Sequence, residues 1–118
     1  NGAQRFKVDV KAMKRLHRGD ARVQDEWAWI ELHGVREYDR GWLLDGKAEL
    51  IAFERQRSFL LVERLKLIEL VKRVVQRTYV SSPNDAQYKV YRRRGRNDKL
   101  TLVEFKIIER MKWQLWLK

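Results

Sequence analysis

Cysteine is missing altogether from the 118 residues. That excludes a disulfide framework, a thiolate zinc site and a cysteine nucleophile, and it sets the expectation of a reducing, intracellular compartment. Proline occurs once and glycine six times, a balance that suits a compact globule and not a disordered tail. No apolar run approaches the ~20 residues that span a bilayer. The polar start Asn1-Gly2-Ala3-Gln4-Arg5 has nothing of a signal peptide, so a cytoplasmic location and no membrane partner are expected. A Gly-rich phosphate loop, a nucleophilic serine motif and a dinucleotide fingerprint are all absent, which disfavours nucleotide-cofactor enzymes. His17 and His33 stand too far apart to suggest zinc.

What the chain has in excess is positive charge. Lys and Arg number 27 against 16 Asp and Glu, a formal charge of +11 and a pI near 10.3. Cations that neutralise phosphates release condensed counterions, so an acidic partner is implied, with nucleic acid first. The length suits one domain over residues 1–118, and 44% of the residues are hydrophobic, enough for a core.

The patterning gives a run of elements. Arg5–Val10 alternates, with Phe6, Val8 and Val10 on one side and Arg5, Lys7 and Asp9 on the other, and reads as a strand ending near Lys11. Lys14–Gln24 is polar and aperiodic, an exposed basic loop. Glu26–Leu32 is a second strand. Arg36–Gly46 reads as a turn-bounded short strand or a connection. Glu49–Glu54 and Ser58–Val62 are two strands joined by the charged turn Arg55-Gln56-Arg57. Arg64–Arg77 has Leu67, Ile68, Leu70, Val71, Val74 and Val75 at helical spacing. Ser82 as N-cap and Pro83 at the first helical position start a short helix through Tyr88 and Tyr91. A cationic loop, Arg92–Asp98, precedes the strand Leu100–Phe105, and Ile107–Leu117 fits helix or strand. No internal repeat stands out. The fold class expected is α+β (or α/β), a single mixed β-sheet flanked by helices.

Among constellations that carry chemistry, Asp9-Val10-Lys11 places an acid and a lysine on one polar face of the first strand. A carboxylate can hold Mg²⁺ against a phosphate while a lysine offsets charge building on it; read alone, the pair is an ordinary solvated one. The loop with Lys14, Arg15, His17 and Arg18 lies beside any phosphate held at Asp9. Lys89, Arg92, Arg93, Arg94 and Arg96 are the densest cationic cluster, suited to following a backbone. Trp27 and Trp29 share a strand face, where core packing is the favoured reading and base stacking the other. Trp113 and Trp116, in Lys112–Lys118, call for cover by docking on the sheet or by a homo-oligomer contact.

Phe6–Lys11 followed by that basic stretch resembles the (D/E)-x-K strand of the PD-(D/E)XK nuclease superfamily. The runs Gln24–Glu31, Gly41–Leu44, Gly46–Glu54, Ala86–Tyr91 and Gly95-Arg96 are similar to small phage-encoded proteins of that nuclease-like kind. The resemblance implies a restriction-endonuclease-like fold and a Mg²⁺- or Mn²⁺-dependent endonuclease acting on DNA in preference to RNA. Asp9 would be metal ligand and catalytic residue, and Lys11 would assist the attacking water. It also implies expression inside a bacterial host. Only Asp9 and Lys11 map onto the superfamily motif, whose further metal-binding aspartate belongs on an upstream strand. Three arrangements are open: an N-terminal portion carrying that acid is missing, an acid elsewhere (Glu26, Glu31 or Glu54) replaces it, or the domain binds without cutting.

Overall fold

The computed structural model describes residues 5–34 and 38–118; Asn1–Gln4 and the first part of the Arg36–Gly46 stretch lie outside the described residues. Among the described residues, alternating and β-branched stretches become eight strands: β1 (Val8–Lys11), β2 (Trp27–His33), β3 (Leu50–Glu54), β4 (Ser58–Glu63), β5 (Tyr79–Val80), β6 (Val90–Arg92), β7 (Lys99–Glu104) and β8 (Gln114–Leu117). The helices are α1 (Gly41–Asp45), α2 (Arg64–Val74) and α3 (Phe105–Ile108). The class is α+β. The strands form two mixed sheets where one was expected, ordered β1-β3-β4-β8 and β2-β7-β6-β5.

Each sheet has a parallel pair at one edge, β1 with β3 and β5 with β6, and is otherwise antiparallel. One face of each sheet feeds a common core. Ile51, Phe53, Leu60 and Val62 come from the first sheet and Ala28, Ile30 and Val103 from the second, closed by Leu67, Leu70 and Val71 of α2 and Phe105 and Ile108 of α3. The buried residues of α2 fall on one stripe at helical spacing, as its sequence required.

Two strand-to-helix junctions are alike. In β4, Leu61-Val62-Glu63 runs straight into α2, and in β7, Leu102-Val103-Glu104 runs straight into α3; the two junction glutamates have nearly the same backbone, φ −71°, ψ 127° and φ −64°, ψ 131°. Each is the end of an antiparallel hairpin, β3–β4 and β6–β7. The first hairpin turn is Arg55–Arg57 and the second is the longer segment Arg93–Asp98.

Three local expectations change. Trp42-Leu43-Leu44 is helical, because Gly41 adopts φ +79°, which an L side chain rarely takes, and α1 is held at its start by Glu31 Oε1 accepting from Trp42 N at 3.2 Å. Across α1, Arg40 N–H and guanidinium hold the Asp45 carboxyl below its usual range, the backbone donor contributing most. The Ser82 cap is present, accepting from Asn84 N at 3.2 Å, but the helix is one 3-10 turn, Pro83–Asp85, and Tyr91 lies in β6. The tail is both helix and strand: α3, a further 3-10 turn, then β8 docked along β4. Trp113 meets the edge of Phe6 at 5.3 Å, yet Trp113, Leu115, Trp116 and Leu117 stay exposed.

The first strand is turned over. Strand partners share a face, so Asp9 and Lys11, opposite Ile51 and Phe53, lie on the core side of the first sheet, not on a solvated one. Val10 points outward and is 59% exposed, while Val8 joins a second apolar cluster with Leu50, Ala52, Leu61 and Phe59.

Candidate nucleic-acid interface

The loop Lys14–Gln24 has no apolar periodicity, yet hydrogen bonds fix it. Its ends are closed by a bridge between Lys14 and Gln24, whose N–H donates to Lys14 O at 3.1 Å. Inside it, His17 N donates to Asp20 Oδ2 at 3.0 Å, and the His17 ring meets Asn84 Oδ1 from the Pro83 turn. The Trp29 indole donates Nε1–H to Arg15 O at 3.0 Å. Such side-chain-to-backbone bonds replace the ladder that this polar segment cannot form. The loop is thereby seated beside the face of β2 that carries Trp27 and Trp29.

The second cationic segment reaches the same place from the far end of the sequence. Arg93 is ion-paired with Asp98, a carboxylate only 2% exposed, which ties the two ends of the turn together across Gly95 at φ +74°. Arg93 therefore serves in part to shape the turn, while Arg94 and Arg96 project into solvent.

Between the two segments runs an open groove of about 730 Å³. Lys14, Arg15, His17 and Arg18 line one side, Arg93, Arg94 and Arg96 the other, and Trp29, Tyr91 and Leu100 also line it; no Asp or Glu is among its lining residues. Of the cations expected to contact phosphate, the structure brings together Lys14, Arg15, Arg18, Arg93, Arg94 and Arg96. Arg92 lies on a neighbouring recess over the same turn, and Lys89 lines neither.

The two tryptophans are half-buried, and the core expected of them is made by Ala28 and Ile30 on the opposite face of β2. Trp27 stands edge-to-face with Tyr88 at 5.7 Å. Trp29 lies 5.8 Å from Tyr91 with the rings tilted by 43°. Tyr88 takes φ 56°, an uncommon angle for a side-chain-bearing residue, and burial raises its hydroxyl pKa. Other cations are spent on structure. Arg55 pairs with Glu109 and Asp25 and covers the Phe105 ring; Arg64 donates to Ala48 O and Leu43 O, each at 2.7 Å.

Asp9 and Lys11 do share a strand face, and they pair with each other at 3.1 Å with side chains 34% and 26% exposed. The ammonium also sits 4.6 Å from the Trp42 ring centre. Lys11 lines a recess that shares Lys14, Trp29 and Leu100 with the groove. Glu31 and Glu54 line that recess as well, but Glu31 accepts from Trp42 N and Glu54 accepts from Lys118 Nζ at 3.0 Å and Met13 N at 3.3 Å. Lys118, then the Met13 amide, pulls the Glu54 pKa down. Glu26 is exposed just before β2. Among the described residues no group of three or more His, Asp or Glu is gathered to hold a metal ion. One lysine-paired carboxylate does not by itself make the Mg²⁺ or Mn²⁺ site that the sequence resemblance implies.

No protein-family model, curated protein or solved structure matches this chain. Among the described residues no helix is long and apolar enough to cross a membrane.

Proposed function

We propose that this chain is a nucleic-acid-binding module that grips a phosphate backbone along the groove between its two cationic segments. One observation carries the reading: cations some eighty residues apart in sequence line one groove that has no acidic lining residue. Surface charge scattered only for solubility carries both signs interspersed, whereas here six Lys and Arg residues gather along one groove with no acidic residue in its lining. Leaving a concentrated set unneutralised costs self-repulsion that an anionic ligand relieves. DNA is the first partner to test.

A second reading is metal-dependent phosphodiester hydrolysis on a restriction-endonuclease-like fold of the PD-(D/E)XK kind, favoured by the pairing of Asp9 with Lys11, a lysine that lines the recess next to the groove. The binding reading ranks first because the carboxylates of that region are already engaged, Asp9 by Lys11, Glu31 by the Trp42 amide and Glu54 by Lys118, and no three such groups are gathered among the described residues. Labelled single- and double-stranded DNA incubated with Mg²⁺, with Mn²⁺ and with chelator separates them. Retarded mobility without cutting, unchanged in Asp9→Ala, supports the binding module. Metal-dependent cutting lost in Asp9→Ala establishes the nuclease instead, and the absence of both retardation and cutting with every probe overturns both.

A further inference from the structure

Phosphate capture alone leaves the aromatic residues of the groove unexplained. Trp29 and Tyr91 sit on adjoining positions of one sheet face, since Trp29 is opposite Leu102, and Leu100, two residues earlier on β7, is opposite Tyr91. The indole edge is pinned by its bond to Arg15 O at 3.0 Å. The rings lie 5.8 Å apart at 43°, so neither is stacked flat on the other. Both belong to the lining of the cationic groove, with Leu100 beside them. Trp27, by contrast, packs edge-to-face on Tyr88 and does not line the groove. The ring positions are thus fixed by strands, an arrangement that costs little further ordering when a ligand arrives.

A duplex hides its base faces within its own stack; an unpaired strand offers them, and base–aromatic stacking between cationic walls is the common solution for holding one. A groove of about 730 Å³ is of the size that holds a compact organic ligand, in the range of roughly 300 to 1,000 Å³. We infer that the groove takes a single-stranded polynucleotide, with an unpaired base stacked at Trp29 and Tyr91 and the flanking phosphates held by Arg15, Arg18, Arg94 and Arg96. This rests on the nucleic-acid reading above and adds the strand state and the base contact to it. DNA and RNA strands share the chemistry, and the probes tell them apart.

The test compares, by fluorescence anisotropy, four probes of about 15 residues: a single-stranded DNA, the RNA of the same sequence, an abasic DNA backbone and a duplex. The base-bearing strand is expected to bind at least about 5-fold more tightly than the abasic one, and more tightly than the duplex. Trp29→Ala and Tyr91→Ala are expected to shrink the gap between base-bearing and abasic strands. Trp29→Phe, which loses the bond to Arg15 and keeps a ring, retains most of it, and that separates stacking from anchoring of the loop. Equal affinity for base-bearing and abasic strands, or preference for the duplex, overturns the stacking inference while the nucleic-acid reading stands. Failure of every probe to bind overturns both.

Discussion

Neutralising Arg94 and Arg96 together gives the sharpest test of the groove, because its effect is a slope as well as an affinity. Five lining cations, Lys14, Arg15, Arg18, Arg94 and Arg96, have no ion pair among the described residues. If each engages one phosphate of a single strand, the dependence of log affinity on log salt has a slope of about −3.5, at roughly 0.7 per contact. Raising salt from about 50 to about 200 mM then weakens wild type by on the order of 100-fold and Arg94→Ala/Arg96→Ala by on the order of 20-fold, since the variant's slope is about −2.1. Wild type and variant are furthest apart at low salt and converge as salt rises. Both side chains are exposed on the turn, so stability should change by less than about 0.5 kcal/mol, which a thermal melt monitored by circular dichroism checks. Anisotropy titrations at four or five salt concentrations read the slope. A variant that keeps the wild-type slope while remaining folded refutes the placement of phosphates in this groove.

Two further expectations concern the frame. Gly41→Ala places a Cβ 2.8 Å from Glu31 O at φ +79°; at about 1–2 kcal/mol for the backbone angle alone, with displacement of β2 in addition, Tm should fall by on the order of 8 °C, and an unchanged Tm would show that α1 does not start as described. Glu54, whose pKa is lowered from 4.5 chiefly by Lys118 and then by the Met13 amide, contributes stability that is present above its unfolded pKa and is lost as pH falls through the folded one. Wild type should therefore lose Tm below about pH 4.5, and Glu54→Gln should be less stable than wild type at pH 7 with the difference narrowing by pH 3. A constant difference across that range would contradict the pairing.

Period-two alternation tells which residues share a face, and it told that correctly for Asp9 with Lys11 and for Trp27 with Trp29. It does not tell which face is inside. In β1 the apolar side, Val8 and Val10, looked like the core side, but a second small cluster around Leu50, Ala52 and Leu61 draws Val8 outward. In β2 both faces are apolar, and the smaller residues, Ala28 and Ile30, are the ones that meet α2 and α3 in the core. The helix α2 was legible because its apolar residues fall on one stripe at helical spacing, and the hairpin β3–β4 because two short apolar runs flank the charged turn Arg55–Arg57. The order of the Lys14–Gln24 loop was not, since it rests on bonds from Trp29 and Asn84 to Arg15 and His17 that no local pattern announces. Both cationic segments were visible as charge; their convergence on one groove is a product of the strand order.

The composition of the two sheets carries a consequence for the integrity of the chain. The first sheet draws β1, β3 and β4 from the N-terminal half and its last strand, β8, from the C-terminus; the second draws β5, β6 and β7 from the C-terminal half and its last strand, β2, from the N-terminal half. The halves are interlocked by mutual strand exchange. A nick in the segment between α2 and β5 would leave two fragments, each with a sheet lacking an edge and each holding the strand the other needs. Such fragments have reason to fold only on each other, and the cationic groove, whose walls come one from each half, would exist only in the reassembled pair.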